Sequence, residues 1–510
     1  MNTEVSLTTT KSLAAILAGI VPDTDTSDIQ IGGLSMDSRQ ISLNDCFVAV
    51  AGEQMHGAKY VNDAITRGAG AILVDDEYTD LSVSGEVPCV MVKGLRNYLP
   101  LISNRFYDYP SRDITILGVT GTNGKTTIAC ILAACLKHQY GESTYVGTLG
   151  SGYWPKLKPN LNTTPDLLTL QQHLAHSRAN GVDNCTLEAS SHGLAQGRLS
   201  GIDLNVAIFS NLTHEHLDYH GSMEAYGAAK RTLFQKPVEH AVLNIDDEFG
   251  RALHTEIDSA IVRWPYGLHE KSQRYDNLTT AREIKASARG IQMLVRTPLA
   301  EGLISSSLIG TFNVSNLLAV IAALTALGWE FDDIRAAIAS ARTVPGRMEV
   351  VKPDNEGHDD LPAVVVDYAH TPDALEKSLE ALRALTTGQL ICLFGCGGDR
   401  DQDKRPLMGR IAERFADKVI ITSDNPRSES PELIAEEILA GQETPTSSTV
   451  ELSRDKAILK AIELASDNDI VLIAGKGHEN YQLIGEKKIA FSDQLVSKKI
   501  LSARSARRKS

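Results

Sequence analysis

Residues 114 to 136 constrain this chain more than any other stretch. Ile114 to Val119 is a compact apolar run, and Gly121-Thr122-Asn123-Gly124-Lys125-Thr126-Thr127 follows almost at once. Ile128, Ile131, Leu132, Cys135 and Leu136 then recur at helical spacing. Strand, glycine loop and helix in that order predict an α/β fold with a parallel sheet. A helix N-terminus offers unpaired N–H groups and a partial positive charge, so such a loop cradles phosphate. Lys125 supplies a point charge for β- and γ-phosphates, and the Thr126 hydroxyl can ligate Mg²⁺. The strict P-loop pattern needs Gly five residues before Gly124, where this chain has Val119. The strand–loop–helix context therefore carries the reading.

With 510 residues, about three domains are expected. Short apolar runs at Cys46 to Val50, Ala71 to Val74 and Val87 to Val92 predict a small α/β domain over 1–104. The phosphate loop opens a central domain, 105–342, with further strands at Cys185 to Leu187 and Val206 to Phe209 and a buried helix over Gly310 to Leu327. Thr343-Val344-Pro345-Gly346-Arg347 interrupts the pattern and marks the next boundary. Beyond it, over 343–510, strands at Ala363–Val366, Leu390–Phe394, Val419–Ile421 and Ile470–Ala474 alternate with helices near Pro406–Phe415, Glu432–Leu439 and Lys456–Ala465. That alternation predicts βαβ units of a Rossmann-like domain.

A formal net charge of −14 argues against nucleic acid as a partner. The basic run Ser505-Ala506-Arg507-Arg508-Lys509-Ser510 is expected to be a frayed tail. Seven cysteines with no CxxC pair fit a reduced cytoplasmic protein. Ser12 to Ile20 is apolar but short, and reads as a helix packed on the first domain. No apolar run approaches the roughly 18 residues a membrane span needs, so no membrane insertion is expected.

The loop alone does not name a reaction. No Asn-Lys-x-Asp motif is present to read a guanine base. Glu188 ends a strand-like run, where an acidic residue beside a phosphate loop can hold Mg²⁺ or can be a solvated loop carboxylate. His214-Glu215-His216-Leu217-Asp218 has the outline of a two-metal hydrolase motif, but Tyr219 stands where the usual companion His would. Four polar segments follow the C-terminal strands: Asp367-Tyr368-Ala369-His370, Gly395-Cys396-Gly397-Gly398-Asp399-Arg400, Asp424-Asn425-Pro426-Arg427 and Gly475-Lys476-Gly477-His478-Glu479. In an open parallel sheet they gather at one rim. Their arginines, carboxylates and amide suit a zwitterionic amino acid. A nucleotide switch leaves these four loops unexplained.

The ordered set GTNGKTT (121–127), NTTPD (162–166), EASSHGLAQGR (188–198), HLDYHG (216–221), AAK (228–230), DYAHTPDAL (367–375), GCGGDRD (395–401), DNPR (424–427) and GKGHE (475–479) resembles the Mur ligases over nearly the whole chain. The resemblance implies an N-terminal domain for a UDP-linked substrate, a central ATPase domain and a C-terminal amino-acid-binding domain. It implies an ATP-dependent ligase that makes an amide through an acyl phosphate, in cytoplasmic peptidoglycan precursor synthesis. The cofactors implied are ATP and Mg²⁺, two ions in number. Gly121, Thr122, Asn123, Gly124, Lys125, Thr126 and Thr127 would hold the nucleotide. Lys125, Glu188, His216 and Lys230 would be catalytic, with Thr126, Glu188, His216 and Lys230 at the metal sites. Lys230 matches a lysine carried as a carbamate formed with CO₂. Met36, Ser38, Glu53, Gln54, Met55, Thr163, Thr164, Ser190, Gln196 and Arg198 would contact the UDP-sugar peptide, although the family often has Leu at position 36 and His at 53. A relative such as a folylpolyglutamate synthetase shares the phosphate-loop logic without DNPR.

Asp424, Asn425, Pro426 and Arg427 resemble the signature of the diaminopimelate-adding branch. The implied partners are UDP-N-acetylmuramoyl-L-alanyl-D-glutamate and meso-diaminopimelate, acted on by a monomer. In that branch Arg427 pairs with the far carboxylate of diaminopimelate, and Arg400, Gly475 and Glu479 are the other contacts. L-lysine lacks that carboxylate, and leaving Arg427 unpaired would cost several kcal/mol.

Overall fold

A computed structural model describes residues 10–22, 29–52, 55–75, 87–268, 275–287, 290–353 and 361–509. It divides into two compact units. The first runs to Leu278 and takes in Ala322–Trp329; the second comprises Thr279–Ile321 and Glu330 onward.

Among the described residues the first unit holds a two-stranded antiparallel pairing of Lys11–Ser12 with Gln30–Ile31 and two larger sheets. Four parallel strands, β1 (Leu34–Ser35), β2 (Cys46–Ala49), β3 (Ala71–Asp75) and β4 (Cys89–Val92), pair in chain order. Side chains alternate across a strand, so Cys46, Val48, Ala71 and Leu73 enter one core while Phe47, Ala49, Ile72 and Val74 enter another. Helix α1 (Leu95–Tyr107) follows. Near the N-terminus, the helix read over Ser12 to Ile20 is confined to Leu13–Leu17, which buries Leu13, Ile16 and Leu17.

The larger sheet contains β5 (Thr115–Thr120), β6 (Thr144–Gly147), β7 (Gly150–Tyr153), β8 (Lys156–Lys158), β9 (Asn184–Glu188), β10 (Leu204–Phe209), β11 (Val238–Asn244) and β12 (Val262–Tyr266). Their order is β8-β7-β6-β9-β5-β10-β11-β12. Strand β5 is central and pairs in parallel with β9 and β10. Its register sets Glu188 beside Val119 and Phe209 beside Thr120, so three strand ends meet at the phosphate loop. Helix α2 (Lys125–Tyr140) starts directly after Gly124. Helix α3 (Met223–Arg231) is capped by the Ser222 side chain, which accepts from the Ala225 N–H.

The second unit opens with an antiparallel meander, β13 (Thr280–Ser287), β14 (Gly290–Arg296) and β15 (Glu301–Ser306). Helix α4 (Phe312–Ala326), whose residues from Ala322 on are counted with the first unit, buries an unbroken run from Leu317 to Leu324. The main sheet contains β16 (Glu349–Val351), β17 (Ala363–Asp367), β18 (Leu390–Phe394), β19 (Lys418–Ile421), β20 (Thr449–Val450) and β21 (Ile470–Ala474), in the order β16-β17-β21-β18-β19-β20. All neighbours are parallel except β16. The four predicted strands therefore do end at one rim. Cys392, Phe394 and Leu472 face α5 (Pro372–Arg383), α6 (Lys404–Phe415) and α7 (Pro431–Leu439); Ile391, Leu393 and Ile473 face α8 (Arg454–Leu464) and α9 (Asp493–Lys509). Burial on both faces explains why these strands read as unbroken apolar runs. A hairpin of β22 (Tyr481–Ile484) and β23 (Lys487–Ala490) follows β21.

The tail does not fray where expected. Helix α9 runs on to Lys509, with Leu501 and Ser505 buried. Arg504 ties it to the end of α8 by donating to the Ile462 and Ala465 carbonyls. The packed face at Leu501 and Ser505 gives the helix a buried side over this stretch. No helix of the described residues is long and apolar enough to cross a membrane.

Candidate active site

The phosphate loop is braced from β10. Thr122 N–H donates to the Asn211 carbonyl (2.8 Å) and Asn123 N–H to Asn211 Oδ1 (2.9 Å), while Ser210 Oγ donates to the Asn123 carbonyl (2.6 Å). Gly121 sits at φ +148°, and a Cβ there would lie 1.9 Å from Ser210 Oγ, so the position admits only glycine. Lys125 Nζ folds back on the loop, donating to the Gly121 (2.9 Å) and Thr122 (2.8 Å) carbonyls. The first turn of α2 directs its N–H groups and the positive end of the helix dipole toward the loop, and the Lys125 ammonium stands at the same loop. This donor set fits the phosphates of a nucleotide.

Glu188 is fully buried at the end of β9. The solvated-carboxylate reading is thereby set aside. Four donors hold it: Tyr145 OH (2.5 Å) and Thr148 N–H (2.9 Å) at Oε1, and Thr126 Oγ1 (2.9 Å) and Thr148 Oγ1 (3.0 Å) at Oε2. Burial, with the Glu188 carboxylate behind it, pushes the Tyr145 phenol well up, so it remains a donor. Thr126 and Glu188 together present hard oxygen donors at the loop, the chemistry Mg²⁺ selects.

Lys230, on α3, is 1% exposed. Its ammonium donates to the Gly121 carbonyl (2.8 Å) and lies 4.1 Å from the centre of the Tyr226 ring. Burial, reinforced by the Lys125 charge, depresses its pKa well below the ordinary lysine value. His216 adopts φ +57° at the start of a single helical turn, and burial lowers its pKa too. Its ring packs 5.0 Å from that of His192 and 6.0 Å from Tyr226. Tyr226 also meets Thr122 of the loop, hydroxyl to hydroxyl, at 3.1 Å. Lys125, Thr126, Glu188, His216 and Lys230 therefore belong to one neighbourhood.

Thr163, Thr164, Ser190, Gln196 and Arg198 form a continuous network onto it. Thr163 Oγ1 is 3.2 Å from Thr148 Oγ1, and Thr164 Oγ1 donates to the Glu188 carbonyl (2.6 Å). Ser190 N–H donates to Thr164 Oγ1 (3.0 Å). Arg198 donates to the Thr164 carbonyl (2.6 Å) and to Gln196 Oε1 (2.9 Å), and Gln196 Nε2 donates to Tyr219 OH (3.2 Å). Met36 is half-buried after β1, Ser38 is buried in a short 3₁₀ turn, and Met55 is exposed beside Tyr60. Those three make no hydrogen bond to this network among the described residues. Glu53 and Gln54 lie outside the described residues.

In the second unit the rim loops interlock. Asn425, 4% exposed, donates from Nδ2 to Glu479 Oε2 (2.8 Å). Its Oδ1 accepts from Lys476 Nζ (3.1 Å), which also donates to Glu479 (2.9 Å). Gly475 has φ +110°, and a Cβ there would press to 2.6 Å from Asp424 Oδ2. Pro426 is buried. Arg427 has φ +51°, a conformation that side chains disfavour, and donates from Nη1 to the Gly398 carbonyl (2.7 Å). Arg400 is exposed and reaches only the Asp399 carbonyl among the described residues (3.3 Å). Behind the rim, buried Arg454 makes two bonds to buried Asp493 (2.7 and 2.8 Å) and one to the Ala474 carbonyl (3.0 Å).

Reading the sequence alone misses Tyr145 and Thr148, which hold Glu188, and Tyr226, which links the loop to Lys230. It also misses the buried ammonium of Lys476. The GKGHE segment points to Lys476, but nothing local marks the other three.

A phosphate loop with buried oxygen donors, in a chain that also carries a parallel-sheet unit with an Arg- and carboxylate-rich rim, defines a nucleotide-dependent ligase framework. The chain matches the Mur ligase family catalytic domain model over residues 30–107, the Mur ligase middle domain over 119–324 and the Mur ligase glutamate ligase domain over 346–477. It belongs to the Mur ligase family. A relative in Coxiella burnetii is 41% identical over 477 residues, 93% of this chain and 96% of its own length. One in Pseudomonas aeruginosa is 43% identical over 478 residues, with the same shares. Both are named UDP-N-acetylmuramoyl-L-alanyl-D-glutamate–2,6-diaminopimelate ligase. A solved structure of that name is 34% identical, covers 98% of this chain and all of its own, and superposes with a TM-score of 0.69. A Thermotoga maritima MurF ligase in complex with ADP shares the fold at 18% identity and a TM-score of 0.63, covering 93% and 98%.

Proposed function

We propose that this ligase joins meso-diaminopimelate to the D-glutamate γ-carboxylate of UDP-N-acetylmuramoyl-L-alanyl-D-glutamate, acting as a monomer in the cytoplasm. ATP gives its terminal phosphoryl group to that carboxylate, and the amine displaces phosphate from the resulting acyl phosphate, leaving an amide, ADP and phosphate. Residues 1–104 bind the UDP end, 105–342 the ATP, and 343–510 the amino acid.

The loop Gly121 to Thr127 holds the nucleotide phosphates, and Lys125 leaves its loop carbonyls to offset their charge. Thr126, Glu188, His216 and Lys230 hold two Mg²⁺ ions, which polarise the phosphates when bound. Lys230 takes up CO₂ as a carbamate. Burial weakens the hold of this amine on its proton, which favours the neutral form that attacks CO₂, and carbamate formation, with one proton released to solvent, converts a would-be cation into an anionic oxygen ligand. The Thr163, Thr164, Ser190, Gln196 and Arg198 network positions the peptide end of the sugar nucleotide; Met36, Ser38, Glu53, Gln54 and Met55 contact the remainder. Arg400, Asp424, Asn425, Pro426, Arg427, Gly475 and Glu479 receive the amino acid, Arg427 pairing with its far carboxylate.

The observation that carries the choice of amino acid is Arg427 itself, a cation on a strained, well-anchored loop among carboxylates at the sheet rim. The relatives' names agree with it. Measuring ADP release with the UDP-linked dipeptide, adding diaminopimelate, lysine or neither, tests it. Turnover is expected with diaminopimelate alone; comparable kcat/KM for lysine would refute the choice.

A further inference from the structure

The hairpin β22–β23 has no part in the chemistry above, yet it makes a set of bonds that a mere surface hairpin would not. Leu483 turns both its backbone groups toward the DNPR segment. Its N–H donates to Asn425 Oδ1 (2.9 Å) and its carbonyl accepts from the Arg427 N–H (3.1 Å). One residue beyond β22, the Gly485 N–H donates to the Arg427 carbonyl (2.7 Å). Gln482 Nε2 donates to the Asp424 carbonyl (2.9 Å) and, more weakly, to that of Ser423 (3.4 Å). Arg427 and Ile484 form a parallel bridge, so the loop is paired onto the hairpin as a short third strand.

These bonds fall on the residue that most needs them. Arg427 occupies φ +51°, and a non-glycine residue stays there only when its surroundings over-determine it. Both of its backbone polar groups are bonded to the hairpin. Released, the backbone would relax toward the right-handed or extended region, and the Cα–Cβ direction would swing with it. The guanidinium would leave the place where Gly398 and the bare Cα of Gly397 make room; a Cβ on Gly397 would stand 3.0 Å from Arg427 Nη1.

We propose that the hairpin Tyr481–Ala490 is a specificity element: it locks Arg427 in its left-handed conformation and so sets the preference for an amino acid with a second carboxylate over one without. Gln482 and Leu483 are positioning residues that act through Arg427. The proposal rests on the reading of Arg427 given under Proposed function.

Two variants loosen the lock by different bonds. Gln482→Leu removes both side-chain donors. Leu483→Pro removes the N–H to Asn425, which faces the loop rather than β23. Lys488→Ala is the control: it lies over the Tyr481 ring at 4.0 Å on the far strand, away from the loop bonds. One lost neutral hydrogen bond is worth about 2- to 12-fold. Each of the two variants is expected to lower the diaminopimelate-to-lysine ratio of kcat/KM by about 10-fold, mainly through the KM for diaminopimelate. The KM values for ATP and for the UDP-linked dipeptide should stay as in the parent, and Lys488→Ala should leave the ratio unchanged. An unchanged ratio in both loosened variants overturns the proposal, as does an equal loss for both amino acids. A parent enzyme without preference removes the reading of Arg427, and the proposal with it; a parent that discriminates while both variants discriminate equally well removes the proposal alone.

Discussion

Replacing Glu188 in two ways separates its structural from its chemical role. Glu188→Ala would strand the buried Tyr145 OH and take one acceptor each from Thr126 Oγ1, the Thr148 N–H and Thr148 Oγ1. A buried donor left unpaired costs about 1–3 kcal/mol, so even with water entering the vacated space the loss should be about 4 kcal/mol. Glu188→Gln keeps the shape. Its carbonyl can face Tyr145 OH and the Thr148 N–H, an obligate donor, and its NH₂ then faces the Thr126 and Thr148 hydroxyls. Those hydroxyls can turn and accept. Exchanging charge-assisted for neutral bonds costs about 1–2 kcal/mol, partly offset because a buried carboxylate is no longer desolvated. The amide cannot neutralise a divalent cation, so kcat should fall at least about 100-fold. Urea unfolding measures the stability of both variants, and ADP release across a Mg²⁺ titration measures their activity. A Glu188→Gln protein with more than about a tenth of parent turnover and an unaltered Mg²⁺ dependence would refute the assignment, because single electrostatic contacts of this kind carry 10²–10³-fold.

Two further outcomes concern stability. Burial is the first cause that lowers the pKa values of His173, His216, His220, His240 and His254. Below the unfolded value of about 6.5 the unfolded chain binds more protons than the folded one, so stability should be complete above that pH and fall as pH drops through the folded values; urea midpoints that match at pH 7.5 and 5.5 would contradict this, and His173→Gln should narrow the gap. Arg454 and Asp493 are both fully buried, so Arg454→Met leaves an uncompensated carboxylate and should cost about 3–5 kcal/mol. Adding Asp493→Leu should recover most of that loss in calorimetry, and failure to recover would mean that the Arg454 bonds to the Ala474 and Ser423 carbonyls dominate.

What the sequence made legible follows from burial. Strands covered on both faces, such as Leu390–Phe394 and Ile470–Ala474, are apolar throughout and stand out with their bounds intact. Strands β11 and β12 and the meander β13–β15 went unread, because they lie toward edges, mix in exposed polar residues and lose the plain apolar signal. Within the site, Gly121 to Thr127 was legible because backbone chemistry demands that spacing. Tyr145, Thr148 and Tyr226 were not, since a tyrosine or threonine acquires its role only when β6 and α3 are folded beside the loop. Lys230 looked like any helical lysine until its burial was seen. The basic tail misled because its charge is visible in sequence and its packed face at Leu501 and Ser505 is not.

The strand order β17-β21-β18 has a consequence for biosynthesis. Strand β21 is the last of that sheet to leave the ribosome, yet it lies between β17 and β18, the second and third to be made. Until residue 474 emerges, these two have no shared neighbour, and each exposes a full row of unpaired backbone groups along an apolar edge. The nascent chain therefore carries an unfilled slot from the completion of β18 at Phe394 until β21 is made at Ile470–Ala474, in the state most open to wrong pairing. Chain termination anywhere short of β21 would delete the middle of the sheet rather than its margin, so a truncated product has no smaller native form to settle into.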